Sequence, residues 1–165
     1  MRSTFKDGIE LLKREWKSAA AGAVICLLVG YISSLLSGNF DMYGEIMLPP
    51  FAPPQWVFPI VWTVLYILIG ASAALLMKSM CQSQDKDRAT LLFITMLLFN
   101  FLWSPLFFGL NSYFAALVDL VIIIVLTVAM YGYYGKCFRP GLYVMVIYTV
   151  WLIYALYLNA GVLFV

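Results

Sequence analysis

The chain has 165 residues, of which 64% are apolar and 11% charged, and it contains no histidine. A soluble domain is about half apolar and about a quarter charged, so this composition excludes an ordinary water-soluble globule and makes the bilayer the main solvent. Ten basic and eight acidic residues leave a formal charge of only +2, too little to argue for nucleic-acid binding or an acidic partner.

The opening segment, residues 1–18, places Phe5, Ile9, Leu12 and Trp16 at helical spacing, with Lys6, Lys13, Arg14 and Lys17 elsewhere on the helix. It reads as an amphipathic interfacial helix on an anionic membrane surface. The apolar run that follows exceeds the about 7–15 residues of a signal-peptide core and has no clean small-x-small cleavage pattern, so it reads as a retained first span.

Crossing a hydrocarbon core of about 30 Å takes about 20 apolar residues. Five stretches qualify, roughly 19–37, 56–78, 89–110, 114–135 and 142–165, and the fold class expected is an all-α, five-helix transmembrane bundle over residues 19–165. All ten basic residues lie in the N-terminal segment, around the second loop (Lys78, Lys86, Arg88) or in the fourth (Lys136, Arg139). Basic residues stay on the cytoplasmic side, so the N-terminus is expected inside the cell and the C-terminus outside. No internal repeat supports an inverted-repeat transporter.

On the first span, Gly22, Cys26, Gly30 and Ser34 recur every four positions, which admits a close helix neighbour. That neighbour is either within the chain or in a dimer mate. The entry to the second span, MLPPFAPPQWVFP, has five prolines between Pro49 and Pro59. These forbid continuous helix before about Trp56 and predict an ordered lid.

Asn100, Trp103 and Phe107 share one face of the third span, and Pro105 should bend it there. Of the eight acidic residues, Asp119 alone falls inside a span. A carboxylate there marks a polar pocket, a water cavity or an interhelical hydrogen bond; pairing with neighbouring hydroxyls merely to hold helices together is the competing reading. At 1.5 Å rise per residue, Asp119, Trp62 and Trp103 sit about 8, 9 and 10 Å from the outer end, with Asn100 and Trp151 nearer the midplane. Tyr148, Tyr154 and Asn159 flank Trp151 at helical intervals, so polar and aromatic groups converge on the outer half of the bundle, beneath the first loop. Trp16 and Trp56 read instead as interfacial anchors.

Cys26, Cys81 and Cys137 form no CxxC, and no histidine completes a zinc site. Three free thiols and no metal site are expected.

The segments LPPFAPPQWVFPIVWTVLYILIG (Leu48 to Gly70), FNFLWSPLFFGL (Phe99 to Leu110) and VWLIYALYLN (Val150 to Asn159) resemble the translocator protein family, the TspO/MBR or tryptophan-rich sensory proteins, in the same order and spacing. The resemblance implies a five-helix bundle, often a homodimer, in a bacterial cell membrane. It implies binding of tetrapyrroles such as protoporphyrin IX and, in many members, of sterols and benzodiazepine-like or isoquinoline ligands. The family's pocket positions fall on Tyr43, Pro50, Trp62, Tyr66, Asn100, Trp103, Phe107, Asp119 and Trp151, and the aromatic fifth span adds Tyr148. Aromatic faces stack on a planar macrocycle while Asn100, Asp119 or Tyr66 hydrogen-bonds its polar edge. With no histidine for axial ligation, free-base porphyrin is the expected form and no cofactor is required.

Two departures matter. Met42 stands where many bacterial relatives carry a tryptophan, which removes one participant from the light- and oxygen-dependent porphyrin degradation described for some members; no catalytic residue is assigned. The sterol motif at the end of the fifth helix needs a basic residue after its tyrosine, and none follows Tyr157. The looser match Leu126, Tyr131, Lys136 carries no weight. Three functions therefore compete: a porphyrin-binding sensor, sequestering protein or translocator; a porphyrin-degrading enzyme; and a structural membrane partner whose aromatic cluster is packed core.

Overall fold

The computed structural model describes residues 5–38 and 47–164, and these are helical with no strand among them. An N-terminal helix α1 (Phe5–Arg14) leads into α2 (Trp16–Leu36). After the first loop come α3 (Val57–Lys78) and α4 (Ser83–Ser104), which runs on through one π-helical turn (Pro105–Gly109). Then follow α5 (Tyr113–Ala129), α6 (Tyr131–Cys137) and α7 (Arg139–Phe164). Among the described residues, five helical stretches are long and apolar enough to cross a membrane: Trp16–Leu36, Val57–Lys78, Ser83–Gly109, Tyr113–Cys137 and Arg139–Phe164.

The helix ends follow from local chemistry. α3 begins at Val57, immediately past the proline cluster, and Pro59 falls in its first turn, where a missing N–H has no intrahelical bond to lose. Pro105 cannot donate to the carbonyl four residues back, and the chain answers with the π-helical turn, closed by Leu110 N–H to the Pro105 carbonyl at 2.9 Å. The freed Phe101 carbonyl is taken up from another helix, by the Ser33 hydroxyl at 2.6 Å.

Side-by-side packing closes the helices into a ring in the order α2, α3, α7, α5, α4 and back to α2, with α2 against α3 the most extensive contact and α2 against α4 the thinnest. The small-residue stripe of α2 explains the first. Gly22 and Gly70 approach so closely that a Cβ on either would strike the other's carbonyl, and Gly30 lies under the Tyr66 ring. The close neighbour anticipated for this stripe is therefore α3 of the same chain.

α1 docks on the end of the bundle that carries the basic loops. Gly8 is buried against Phe138 and Pro140 where α7 begins, while Phe5, Ile9 and Leu12 stay exposed, as does Trp16 at the start of α2. At the opposite end the proline-rich entry is tied to α7. Tyr154 donates to the Phe51 carbonyl and Tyr157 to the Pro50 carbonyl, both at 2.8 Å, and Pro49 is buried on Gly161.

One sequence expectation is overturned. Cys81 and Cys137 are not free thiols but a disulfide; Cys26 remains free and buried beneath α3. Sequence spacing did not show the pairing because the two cysteines are 56 residues apart and meet only when the α3–α4 connection and the end of α6 reach the same end of the bundle.

Candidate functional site

Where α2 and α4 pack most thinly, a cavity of about 850 Å³ opens between α2, α3 and α4, within the range of about 300–1,000 Å³ usual for small-molecule sites. Its wall is largely aromatic: Trp56, Phe58, Trp62, Tyr66, Trp103 and Phe108. Hydroxyl and amide groups of Ser33, Ser34, Ser104, Thr63, Gln55 and Asn100 punctuate it, and among the described residues none that lines it is charged.

Trp62 is the hub. Its ring lies 5.6 Å from Tyr66, 6.3 Å from Trp103, 6.4 Å from Tyr148 and 6.5 Å from Trp151 between centroids, the last two edge-on. Tilted and edge-on pairs at such distances are the arrangements that aromatic quadrupoles favour. Behind them a buried polar chain joins three helices. Tyr66 of α3 donates to Asn100 Oδ1 of α4 at 2.5 Å, and Asn100 Nδ2 donates to the Tyr148 hydroxyl of α7. An amide with both ends engaged across three helices holds their spacing, and with it the cavity wall.

The Trp103 indole Nε1 is buried and has no hydrogen-bond partner among the described residues, although its side chain lines the cavity. A buried donor left open beside a cavity costs free energy unless an acceptor arrives. Trp151 Nε1 and Asp119 Oδ2 are likewise buried without a partner, but neither residue lines the cavity.

Of the ten residues expected from sequence, Trp62, Tyr66, Asn100 and Trp103 line the cavity. Tyr148 and Trp151 form the layer directly behind Trp62, the first through Asn100 and the second edge-on. Phe107 is buried, stacked on Trp103 at 5.2 Å and edge-on to Tyr113. Pro50 is exposed, with its carbonyl held by Tyr157. Asp119 is buried on α5, away from the cavity. Tyr43, like Met42, lies outside the described residues.

Several wall residues escaped sequence reasoning, among them Gln55, Phe58, Pro59 and Thr63 at the entry and first turns of α3. Phe108 takes a place on the wall because the π-helical turn carries one residue more than an α-turn and shifts the register after Pro105; the proline was a signal for this, read only as a bend. The α2 contribution, Gly30, Tyr31, Ser33 and Ser34, was foreshadowed by the small-residue stripe, which was read for packing alone. Trp56, expected to be an interfacial anchor, is 65% exposed and also stands at the cavity wall.

The model of the TspO/MBR family matches residues 22–165. The tryptophan-rich protein TspO of Chlorobaculum tepidum is 31% identical over 141 residues, covering 84% of this chain and 89% of the relative. The tryptophan-rich protein TspO of Archaeoglobus fulgidus is 31% identical over 147 residues, covering 86% and 92%. The translocator protein of Bos taurus is 26% identical over 147 residues, covering 87% of each.

Proposed function

The chain is an integral, multi-pass membrane protein that belongs to the TspO/MBR family, and from that premise we propose that it is a receptor or sensor that takes up tetrapyrroles such as protoporphyrin IX, and similar apolar planar ligands, for transport or regulation. The observation that carries the reading is the aromatic-walled cavity of about 850 Å³, which has no charged side chain among its described lining residues. Trp62 and Trp103 supply faces for a planar macrocycle, and the Ser34 and Ser104 hydroxyls supply hydrogen bonds to its polar edge. The basic residues among the described ones lie in segments at the end of the bundle away from the proline-rich loop, so the acidic substituents of a porphyrin stay at the mouth, in water, while the ring is buried. By the distribution of basic residues, the N-terminus faces the cytoplasm of a bacterial cell and the cavity belongs to the outer half of the bilayer.

Titration of the purified protein with protoporphyrin IX, first in the dark and then under light, tests this. Saturable quenching of tryptophan fluorescence in the dark, with no light-driven loss of the porphyrin band beyond that of free porphyrin, is expected. Accelerated, Trp151-dependent loss of the band replaces binding with degradation, and no saturable response removes porphyrin as the ligand.

A further inference from the structure

At the end of the bundle opposite the proline-rich loop, the disulfide joins Cys81, in the connection between α3 and α4, to Cys137, the last residue of α6. Asp85, in the first turn of α4, faces the same point: its carboxylate and the two sulfurs lie within 4.8 Å of one another. Asp85 is held there by an ion pair with Lys136, the residue before Cys137. The group is shielded, with Cys137 6% exposed and Cys81 and Asp85 half-buried. None of these residues lines the ligand cavity.

The disulfide sits among the basic segments, the end that the positive-inside rule assigns to the cytoplasm, where glutathione and thioredoxin keep thiols reduced. Reduction by two equivalents of a thiol, or one of a dithiol, delivers two electrons and two protons and converts the disulfide into two thiols, the reductant leaving as its own disulfide. Two sulfurs and one carboxylate then converge on one point. That donor set suits a borderline-soft divalent cation such as zinc, in tetrahedral coordination with water as fourth ligand. Two thiolates and a carboxylate around a dication leave one net negative charge, and Lys136 is placed to neutralise it.

We propose that Cys81, Cys137 and Asp85 form a redox-gated site for one thiophilic divalent cation, closed by the disulfide and opened by its reduction. Binding releases the two thiol protons to solvent. The occupied site, like the disulfide, clamps the α3–α4 connection to the α6–α7 junction, so the inner ends of the helices stay joined under oxidising and reducing conditions alike. This inference does not depend on what fills the cavity.

Full-length protein in detergent, reduced with a phosphine and titrated with Co2+ as a spectroscopic stand-in for zinc, tests it. One Co2+ per chain is expected, with a sulfur-to-cobalt charge-transfer band and tetrahedral d–d absorption, both displaced by zinc. The signal should vanish in Cys81→Ser and in Cys137→Ser and weaken at least about tenfold in Asp85→Asn. The same wild-type protein left oxidised should give none of it, a control that needs no mutation. Thiol counting in denaturant should find one thiol before reduction and three after. A reduced protein without the charge-transfer band, equal binding by the oxidised form, or three thiols before reduction would overturn the proposal.

Discussion

The Ser33 hydroxyl donates to the Phe101 carbonyl at 2.6 Å, the acceptor left open by the missing N–H of Pro105. One serine on α2 thus completes the backbone of α4 at the position where the third span departs from α-helical geometry. In hydrocarbon such a carbonyl has no water to turn to. Ser33→Ala should therefore lower stability by about 1–2 kcal/mol, read as a lower midpoint of thermal unfolding in detergent. Pro105→Ala restores an N–H that can reach Phe101, so adding it to Ser33→Ala should recover most of that loss. Strictly additive losses in the double-mutant cycle would break the link between the two residues.

The contact of Gly22 with Gly70 admits no side chain. Gly22→Val should separate α2 from α3 and cost about 1–3 kcal/mol, the usual penalty for overpacking. Gly132, which has nothing within 4 Å of a Cβ, should accept alanine with little change. Equal stability of the two variants would refute the packing described for α2.

Trp103 and Asp119 separate cavity wall from buried support. Trp103→Phe shrinks the aromatic face on the cavity wall while keeping a ring, and should weaken ligand binding about tenfold, equivalent to about 1.4 kcal/mol. Asp119→Asn, at a residue that does not line the cavity, should change affinity by less than about twofold, equivalent to about 0.4 kcal/mol. Titration of both variants with protoporphyrin IX in the dark checks this, and a larger effect at Asp119 would move the site toward α5.

The proline-rich entry is pinned to α7 by Tyr154 and Tyr157 through the carbonyls of Phe51 and Pro50. Removing both hydroxyls, as Tyr154→Phe with Tyr157→Phe, should leave the helices folded and loosen residues 50–51. Faster proteolysis of this segment and faster ligand dissociation, with helical content unchanged by circular dichroism, are the expected signs. Unaltered cleavage and dissociation would mean that the prolines alone hold the lid.

The number and approximate extent of the spans, and the breaks made by proline, were legible in the sequence because they depend on local properties; the break between α5 and α6 at Met130, inside the expected span 114–135, was not. Twenty apolar residues reach across the bilayer wherever they occur, and prolines at 49–59 and at 105 delimit or bend helices through their own missing N–H groups. Four of the cavity residues, Trp62, Tyr66, Asn100 and Trp103, were legible too, since helical spacing puts Asn100 and Trp103 on one face and their type is out of place in lipid. Tertiary structure alone decided which helices adjoin: that Gly22 meets Gly70, that Ser33 reaches Phe101, that Phe108 rather than Phe107 faces the cavity, and that Asp119 stands apart from it. It alone joined Cys81 to Cys137. Such contacts link residues far apart in the chain, and in a bilayer, where every apolar helix face is equally at home in lipid, the order of the ring is set by close packing and interhelical hydrogen bonds, which no periodicity within a single span records.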